Sequence, residues 1–211
     1  ECFKKNAFDQ FYNEHIYVLS AISLTNILKN LHLKIFKIEN IDVHGGSLRY
    51  YIIKENNTFH KIHMSCKTQI KNEKKFKLDN FSSCVTFKNN VNDVKKKLHE
   101  IFHRIKKNNN KIIGYGASAK AVTVLNFCEL KEEFIDYFLD TTKNKIGKFL
   151  PGTKIRVKKY SNKLMDHKKF YFLGAWNFKD EIIKKEKNFL KQGGKFIFHL
   201  PKPNIFGLIK S

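Results

Sequence analysis

Cysteine, proline and arginine are all scarce in this chain, and each scarcity closes off a class of protein. The four cysteines, Cys2, Cys66, Cys84 and Cys128, stand alone with no C-x-x-C pair and no histidine at ligand spacing, so neither a metal site nor a disulfide framework is expected. Three prolines in 211 residues, with 42% hydrophobic and 14% aromatic residues, exclude wholesale disorder. No apolar run reaches the roughly eighteen residues of a membrane span. No basic segment leads into an apolar one as in a secretion signal, and the cytoplasm is the expected location. A chain of this length can bury a core as one ordinary domain or two small ones.

What is abundant is lysine. A formal net charge of +22 and a pI near 9.8 would ordinarily point to nucleic acid. Yet of 41 basic residues only Arg49, Arg104 and Arg156 are arginine, leaving 38 lysines, and arginine is the residue that grips phosphate and guanine bidentately. Lys, Asn, Ile and Phe together make up about half the chain, a bias that an AT-rich coding sequence produces by itself. Neither nucleic acid nor a membrane is expected as a partner. The chain opens at Glu1 in sequence that already reads as packed, with Phe3, Phe8, Phe11 and Tyr12, and is expected to be a piece of a longer protein.

Apolar residues at Ile22, Leu24, Ile27, Leu28 and Leu31 keep helical spacing, with Ser20 or Ser23 as N-cap. Two strand-like runs follow, Leu33 to Ile38 and Ser47 to Ile53, joined through Gly45-Gly46, and predict an antiparallel hairpin. From Glu55 to Phe87 no period is sustained, which predicts a connecting segment. Val94, Leu98, Ile101, Phe102 and Ile105 then share a helical face over 91–107, capped by Asn90 or Asn92 and stopped by Asn108 to Asn110. Beyond it strands and helices alternate: strands at 111–114, 135–140, around Ile155, at 170–175 and 195–200, and helices at 118–128 and 178–192. Such alternation predicts βαβ units and a parallel sheet. Pro201 and Pro203 are expected to end the last strand.

Gly114-Tyr115-Gly116-Ala117-Ser118-Ala119 fits G-x-G-x-x-G/A between a strand and a helix, with Asp140 ending the next strand. Glycines let a backbone approach phosphate, and free N–H groups at a helix start stabilise its charge; Lys120 would add a cation. The same pattern also serves as a plain tight turn. Glu14-His15, with Tyr12 two residues before, is either a structural pair or a histidine base with its tautomer set by a neighbour. His44 either satisfies a turn or faces a ligand, and no partner is visible for His32, His60, His63, His99, His103, His167 or His199. Trp176 and Asn177 are a core residue and an N-cap, or a pair facing a ligand at a strand end. The loop Lys145 to Thr153, including Lys148, is either a solvated loop or a clamp on a phosphate or sugar.

The order of these segments is more specific than any one of them. Phe8-Asp9-Gln10-Phe11-Tyr12-Asn13-Glu14-His15, His44-Gly45-Gly46-Ser47-Leu48-Arg49, the glycine turn through Lys120, Asp140 with Gly147 to Thr153, Ala175-Trp176-Asn177 and Gly193-Gly194-Lys195-Phe196 together resemble the C-terminal half of the S-adenosylmethionine-dependent sugar C-methyltransferases. The resemblance covers nearly the whole chain and is weakest over 55–87.

That resemblance implies an α/β protein. Residues 1–58 would be the tail of a class I methyltransferase domain, a helix plus an antiparallel hairpin; 59–90 would be a connecting segment, and 91–211 a Rossmann-like parallel-sheet domain. Zinc would belong only to an N-terminal module, and the main S-adenosylmethionine loop would lie outside this sequence, leaving the 211 residues inactive alone. The implied reaction methylates a carbon beside the ketone of a nucleotide-linked deoxysugar, dTDP being the expected carrier. In the family motif Tyr-His-Glu-His the last histidine is the base, which maps onto His15, with Glu14 as its neighbour and Tyr12 as a sugar contact or enolate donor. Asn13 departs from the motif's second position. Substrate contacts are implied at His44, Ser47, Arg49, Gly114, Tyr115, Gly116, Ser118, Lys120, Lys148, Trp176 and Asn177, with Asp140 released from any ribose role. A monomer is expected. The competing readings are an NAD(P)-dependent oxidoreductase domain and a non-catalytic nucleotide-sugar binding module.

Overall fold

The computed structural model describes residues 2–43 and 45–208. In chain order these form α1 (Cys2–Lys5), a 3-10 turn (Phe8–Gln10), α2 (Ala21–Lys29), β1 (Leu33–Ile41), β2 (Ser47–Lys54), α3 (Met64–Lys75), α4 (Phe81–Lys107) and β3 (Ile112–Tyr115). After them come α5 (Ala119–Cys128), β4 (Ile135–Asp140), β5 (Val157–Lys159), β6 (Phe170–Leu173), α6 (Lys179–Lys185), α7 (Lys187–Lys191), β7 (Lys195–Phe198) and β8 (Asn204–Phe206). By contact they divide into two units: His15–Asn89, and Cys2–Glu14 together with the chain from Asn90 onward.

In the first unit, Ser20 caps α2 as its sequence implies. Its hydroxyl accepts the Ser23 N–H at 3.0 Å while Ser23 Oγ accepts the Ser20 N–H at 2.9 Å, so two otherwise orphaned donors are satisfied reciprocally. The strands β1 and β2 pair antiparallel from Leu33↔Lys54 to Ile41↔Ser47. Ala21, Leu28, Ile35, Ile38 and Cys66 form the buried core under this hairpin.

The segment without visible period is helical. It holds α3 and the start of α4, which begins at Phe81 rather than near Val91. Asn80 Oδ1 accepts the Ser82 N–H at 2.9 Å, so the cap is Asn80 and not Asn90 or Asn92. Two physical reasons hide these helices. The first turns of α4 expose Phe81 and Val85, so no face alternates. On α3 the buried positions are Cys66 and Glu73, one of them a carboxylate. Glu73 is buried because it caps α2 from outside: Oε1 accepts the Ala21 N–H at 2.8 Å and Oε2 the Ile22 N–H at 2.9 Å, a negative charge at a helix N-terminus.

In the second unit six strands form one sheet in the order β5-β4-β3-β6-β7-β8. The first five are parallel to their neighbours, and β8 pairs antiparallel with β7. The chain moves outward from β3 to β4 and β5, then returns to β6 on the other side of β3, which makes the gap between β3 and β6 a topological switch point. One face carries Ile113, Tyr115, Tyr171, Leu173, Phe196 and Phe198 against Phe189 and Leu190 of α7. On the other face Phe172 packs edge-on against Phe102 of α4 at 5.8 Å and against Phe138 at 6.4 Å. Burying each such ring contributes about 1.5–3 kcal/mol. Strands covered on both faces explain the near-continuous apolar runs in sequence.

Three expectations are corrected here. The helix over 178–192 is broken into α6 and α7 at Glu186, a buried carboxylate drawn toward the sheet. The strand expected around Ile155 lies at Val157–Lys159. Pro201 and Pro203 follow the end of β7 as expected, but that strand is not the last, since β8 follows them with three residues, too short to leave a pattern.

Candidate functional site

The glycine turn joins the end of β3 to α5 at the switch point. Gly116 has φ +81°, and a Cβ there would stand 2.7 Å from Ala175 Cβ; a Cβ on Gly114 would enter the Phe138 ring. Both glycines thus allow close approach of neighbouring strands. The donors of the turn are used internally: Gly116 N–H on Leu139 O at 2.8 Å, Ser118 N–H on Gly116 O at 2.9 Å, and Ala117 N–H on Asp140 Oδ2 at 2.7 Å. Ser118 caps α5 by accepting the Ala121 N–H and donates to Gly174 O at 2.7 Å.

Asp140 accordingly occupies the anionic role at this turn, with its other oxygen accepting the Thr142 N–H at 2.7 Å. Burial pushes this carboxyl up, but Thr142, the Lys145 ammonium 3.9 Å away and the Ala117 N–H together outweigh burial and hold it below the usual carboxylate range. A dinucleotide site would need that carboxylate for a ribose. With the Gly116, Ala117 and Ser118 N–H groups already paired within the chain, no residue of the turn is assigned to S-adenosylmethionine.

A cavity of about 290 Å³ opens over these strand ends, lined by Tyr115, Gly116, Asp140, Tyr160, Ala175 and Lys185 among others. Behind its wall Glu186 Oε1 accepts the Tyr115 hydroxyl at 2.8 Å and the Tyr160 hydroxyl at 2.5 Å. Lys185 donates to Tyr115 OH at 3.3 Å and lies over the Tyr160 ring at 3.7 Å. Burial first, then the Glu186 carboxylate, holds both phenols above the ordinary tyrosine range.

Tyr12 and Glu14 fall in the second unit, and His15 opens the first. The Tyr12 ring lies 5.0 Å from the Lys120 ammonium, a cation–π contact. Burial, then the charges of Glu14 and Asp9, hold the Tyr12 phenol above its ordinary value. Lys120 is itself buried, at 4% exposure; desolvation lowers its pKa and the Asp9 charge opposes this. Asp9 is wholly buried and its Oδ2 accepts hydrogen bonds from Trp176 Nε1 and, at 3.0 Å, from His199 Nε2.

The remaining expected positions are dispersed. Ser47 and Arg49 stand on β2 in the first unit, Ser47 Oγ donating to Val43 O and Arg49 opposite Glu39. His44 lies outside the described residues. Lys148 is exposed on its loop, where its carbonyl accepts the Val157 N–H. Asn177 is not an N-cap: it sits inside a 3-10 turn, and α6 has no side-chain cap. Trp176 is half-buried rather than core, because its indole N–H must reach Asp9. Several histidines without a visible partner in sequence have one in space, His199 on Asp9, His99 on Cys128 O at 2.6 Å, and His63 accepting the Ser65 N–H.

With this geometry in view, comparison with known proteins is decisive at the level of family. A profile described as the C-methyltransferase C-terminal domain matches residues 42–201. The chain belongs to that family. It is also 29% identical over 205 residues to C-methyltransferase NovU of Streptomyces niveus, a match covering 97% of this chain and 49% of the relative. The chain thus spans about half the length of that relative.

Membership in the C-methyltransferase C-terminal domain family agrees with the mixed α/β architecture and its largely parallel sheet. Among the described residues no group of three or more His, Cys, Asp or Glu gathers closely enough to hold a metal ion, and no helix is long and apolar enough to cross a membrane. The residues missed in sequence are Glu186, Tyr160 and Lys185 at the cavity, and Asp9 and His199, which meet in the core of the second unit. Asp9 stands inside the first motif, and its buried position is the signal that only packing reveals.

Proposed function

We propose that this chain is part of an S-adenosylmethionine-dependent C-methyltransferase that acts on the carbon beside the ketone of a nucleotide-linked deoxysugar, carried on dTDP. His15 takes the proton from that carbon. Glu14 sets the histidine's orientation, and the Tyr12 phenol, kept protonated and beside the Lys120 cation, donates to the oxygen on which enolate charge develops. S-adenosylmethionine supplies the methyl group, and no residue of this chain is assigned to it.

The observation that carries this reading is the motif Tyr12-Asn13-Glu14-His15, with the Tyr12 ring packed beneath Lys120 at 5.0 Å, in a chain whose family is that of C-methyltransferases. The cavity at the switch point of the second unit supports the nucleotide-sugar part, since open parallel sheets bind ligands at their strand carboxyl ends. Tyr115 and Gly116 are the proposed substrate contacts at that cavity. The helix and hairpin are the closing part of a class I methyl-transfer domain, and the parallel-sheet unit is the C-terminal domain. The protein works in the cytoplasm as a monomer on a small molecule, its lysines forming a solvated surface rather than a nucleic-acid or membrane site.

His15→Ala in the full-length enzyme tests the assignment: methyl transfer is expected to vanish while nucleotide-sugar affinity stays within about threefold. Retained turnover would remove His15 as the base. The 211 residues alone are expected to be inactive but to bind dTDP in a calorimetric titration at moderate salt; tight NAD binding instead would move the chain to the oxidoreductases.

A further inference from the structure

We propose that Asp9 is a positioning residue: through Trp176 and His199 it seats the segment 8–14 on the parallel-sheet unit and so sets where Tyr12 and Glu14 stand. The inference rests on reading Tyr12 to His15 as the reacting motif.

The geometry is costly in a way that stability alone does not explain. Asp9 and His199 are both 0% exposed, and they meet at 3.0 Å across 190 residues of sequence. One oxygen, Oδ2, receives both the His199 and the Trp176 hydrogen bonds, while among the described residues Asp9 Oδ1 and His199 Nδ1 have no hydrogen-bond partner. Replacing a buried polar pair that has unsatisfied atoms by well-packed apolar side chains is often neutral or stabilising. What the pair gives instead is direction. Trp176 opens the short 3-10 turn that follows β6 and His199 directly follows β7, so side chains from beyond two neighbouring strands converge on a single atom of Asp9.

The surroundings extend that grip to the motif. Phe8 packs its ring, tilted, against Phe127 of α5 at 5.0 Å, and Asn90 donates to Asn6 at 3.2 Å. Lys120 places its ammonium over the Tyr12 ring, three residues beyond Asp9, and feels the Asp9 charge. Moving Asp9 would therefore move the Tyr12 phenol with its segment.

The test has one arm free of catalysis. Trp176 is the only tryptophan in the chain, so its emission and amide exchange over 8–14 both report on the seating of Asp9. Asp9→Ala in this chain is expected to shift the Trp176 emission and to raise exchange over 8–14 by about tenfold while β3, β6 and β7 stay protected. Asp9→Asn, which keeps one accepting oxygen, should recover part of that protection. Exchange over 8–14 within about twofold of the wild type in Asp9→Ala would overturn the proposal. Should Asp9→Ala fail to fold, Trp176→Phe removes only the indole donor and is read by exchange in the same way: a rise is expected, and no change overturns the seating.

In the full-length enzyme, Asp9→Asn is expected to lower kcat by about tenfold with KM within about threefold. An unchanged kcat in a variant whose segment has demonstrably loosened would overturn the positioning role. Turnover surviving His15→Ala, by contrast, counts against the proposed base and leaves the exchange result for Asp9 standing.

Discussion

Asp140 accepts the Ala117 N–H at 2.7 Å, so the acidic residue ending β4 closes the glycine turn that ends β3. The contact ties two adjacent strand ends through one carboxylate, and it makes the turn depend on ionisation.

Because Asp140 is held below its ordinary range, its contribution is present above the unfolded value of about 3.9 and is lost as pH falls through the lower folded value. Asp140→Asn is expected to cost roughly 1.5–3 kcal/mol at neutral pH. Urea unfolding repeated down to about pH 3 should show the gap from wild type closing on acidification. A gap independent of pH would mean that the carboxylate charge does not matter there.

Two glycines with similar backbone angles should respond differently to alanine. Gly116 has φ +81° and would place a Cβ 2.7 Å from Ala175, whereas Gly147 has φ +84° with nothing within 4 Å. Gly147→Ala is expected to cost about 1–2 kcal/mol from the left-handed angle alone, and Gly116→Ala about 3 kcal/mol or more because the clash adds. Denaturant midpoints measured side by side decide it, and equal losses would mean the Ala175 contact relaxes freely.

Glu73 links two helices of the first unit. Glu73→Ala strips the acceptors from the Ala21 and Ile22 N–H groups and should cost about 2 kcal/mol or more, while Glu73→Gln, with one oxygen left, should cost roughly half. Exchange of those two amides is the direct readout.

Tyr115 bears on alkaline stability. Its phenol is held above the ordinary range, so the folded protein keeps a proton that the unfolded chain loses. That stability is fully present below about pH 10 and drains away as pH rises further. Tyr115→Phe is expected to cost about 1–2 kcal/mol at neutral pH by removing one of the two phenol hydrogen bonds to the buried Glu186, and to flatten the alkaline decline. Thermal melts between pH 8 and 11 test both parts.

The capped helix α2, the β1–β2 hairpin, the later part of α4 and the units β3-α5-β4 and β6 to β7 were legible in sequence, because each carries its own cap, turn or buried apolar period. By contrast α3, the opening turns of α4 and β8 were not. Their residues are exposed, or buried for a hydrogen bond rather than for hydrophobicity, and three residues are too few to show alternation. The break at Glu186 was hidden for the same reason, since helical spacing continues through it and only the phenols of Tyr115 and Tyr160 explain it.

The sequence by itself determined what lies within a few residues of its cause: the strand-turn-helix around Gly116, the cap at Ser20, the motif of Tyr12 to His15 and, through their order, the family. Only the tertiary structure decided which groups meet across long separations. Asp9 and His199 are 190 residues apart and Asp9 and Trp176 are 167, and no local pattern records such a pair, because burial of a polar group is set by what the completed sheet brings to it. The same holds for the glycine turn, where sequence left a phosphate cradle and a plain turn both open. The packed chain pairs the Gly116, Ser118 and Ala117 N–H groups with Leu139, Gly116 and Asp140, because donors withdrawn from water need an acceptor within the chain.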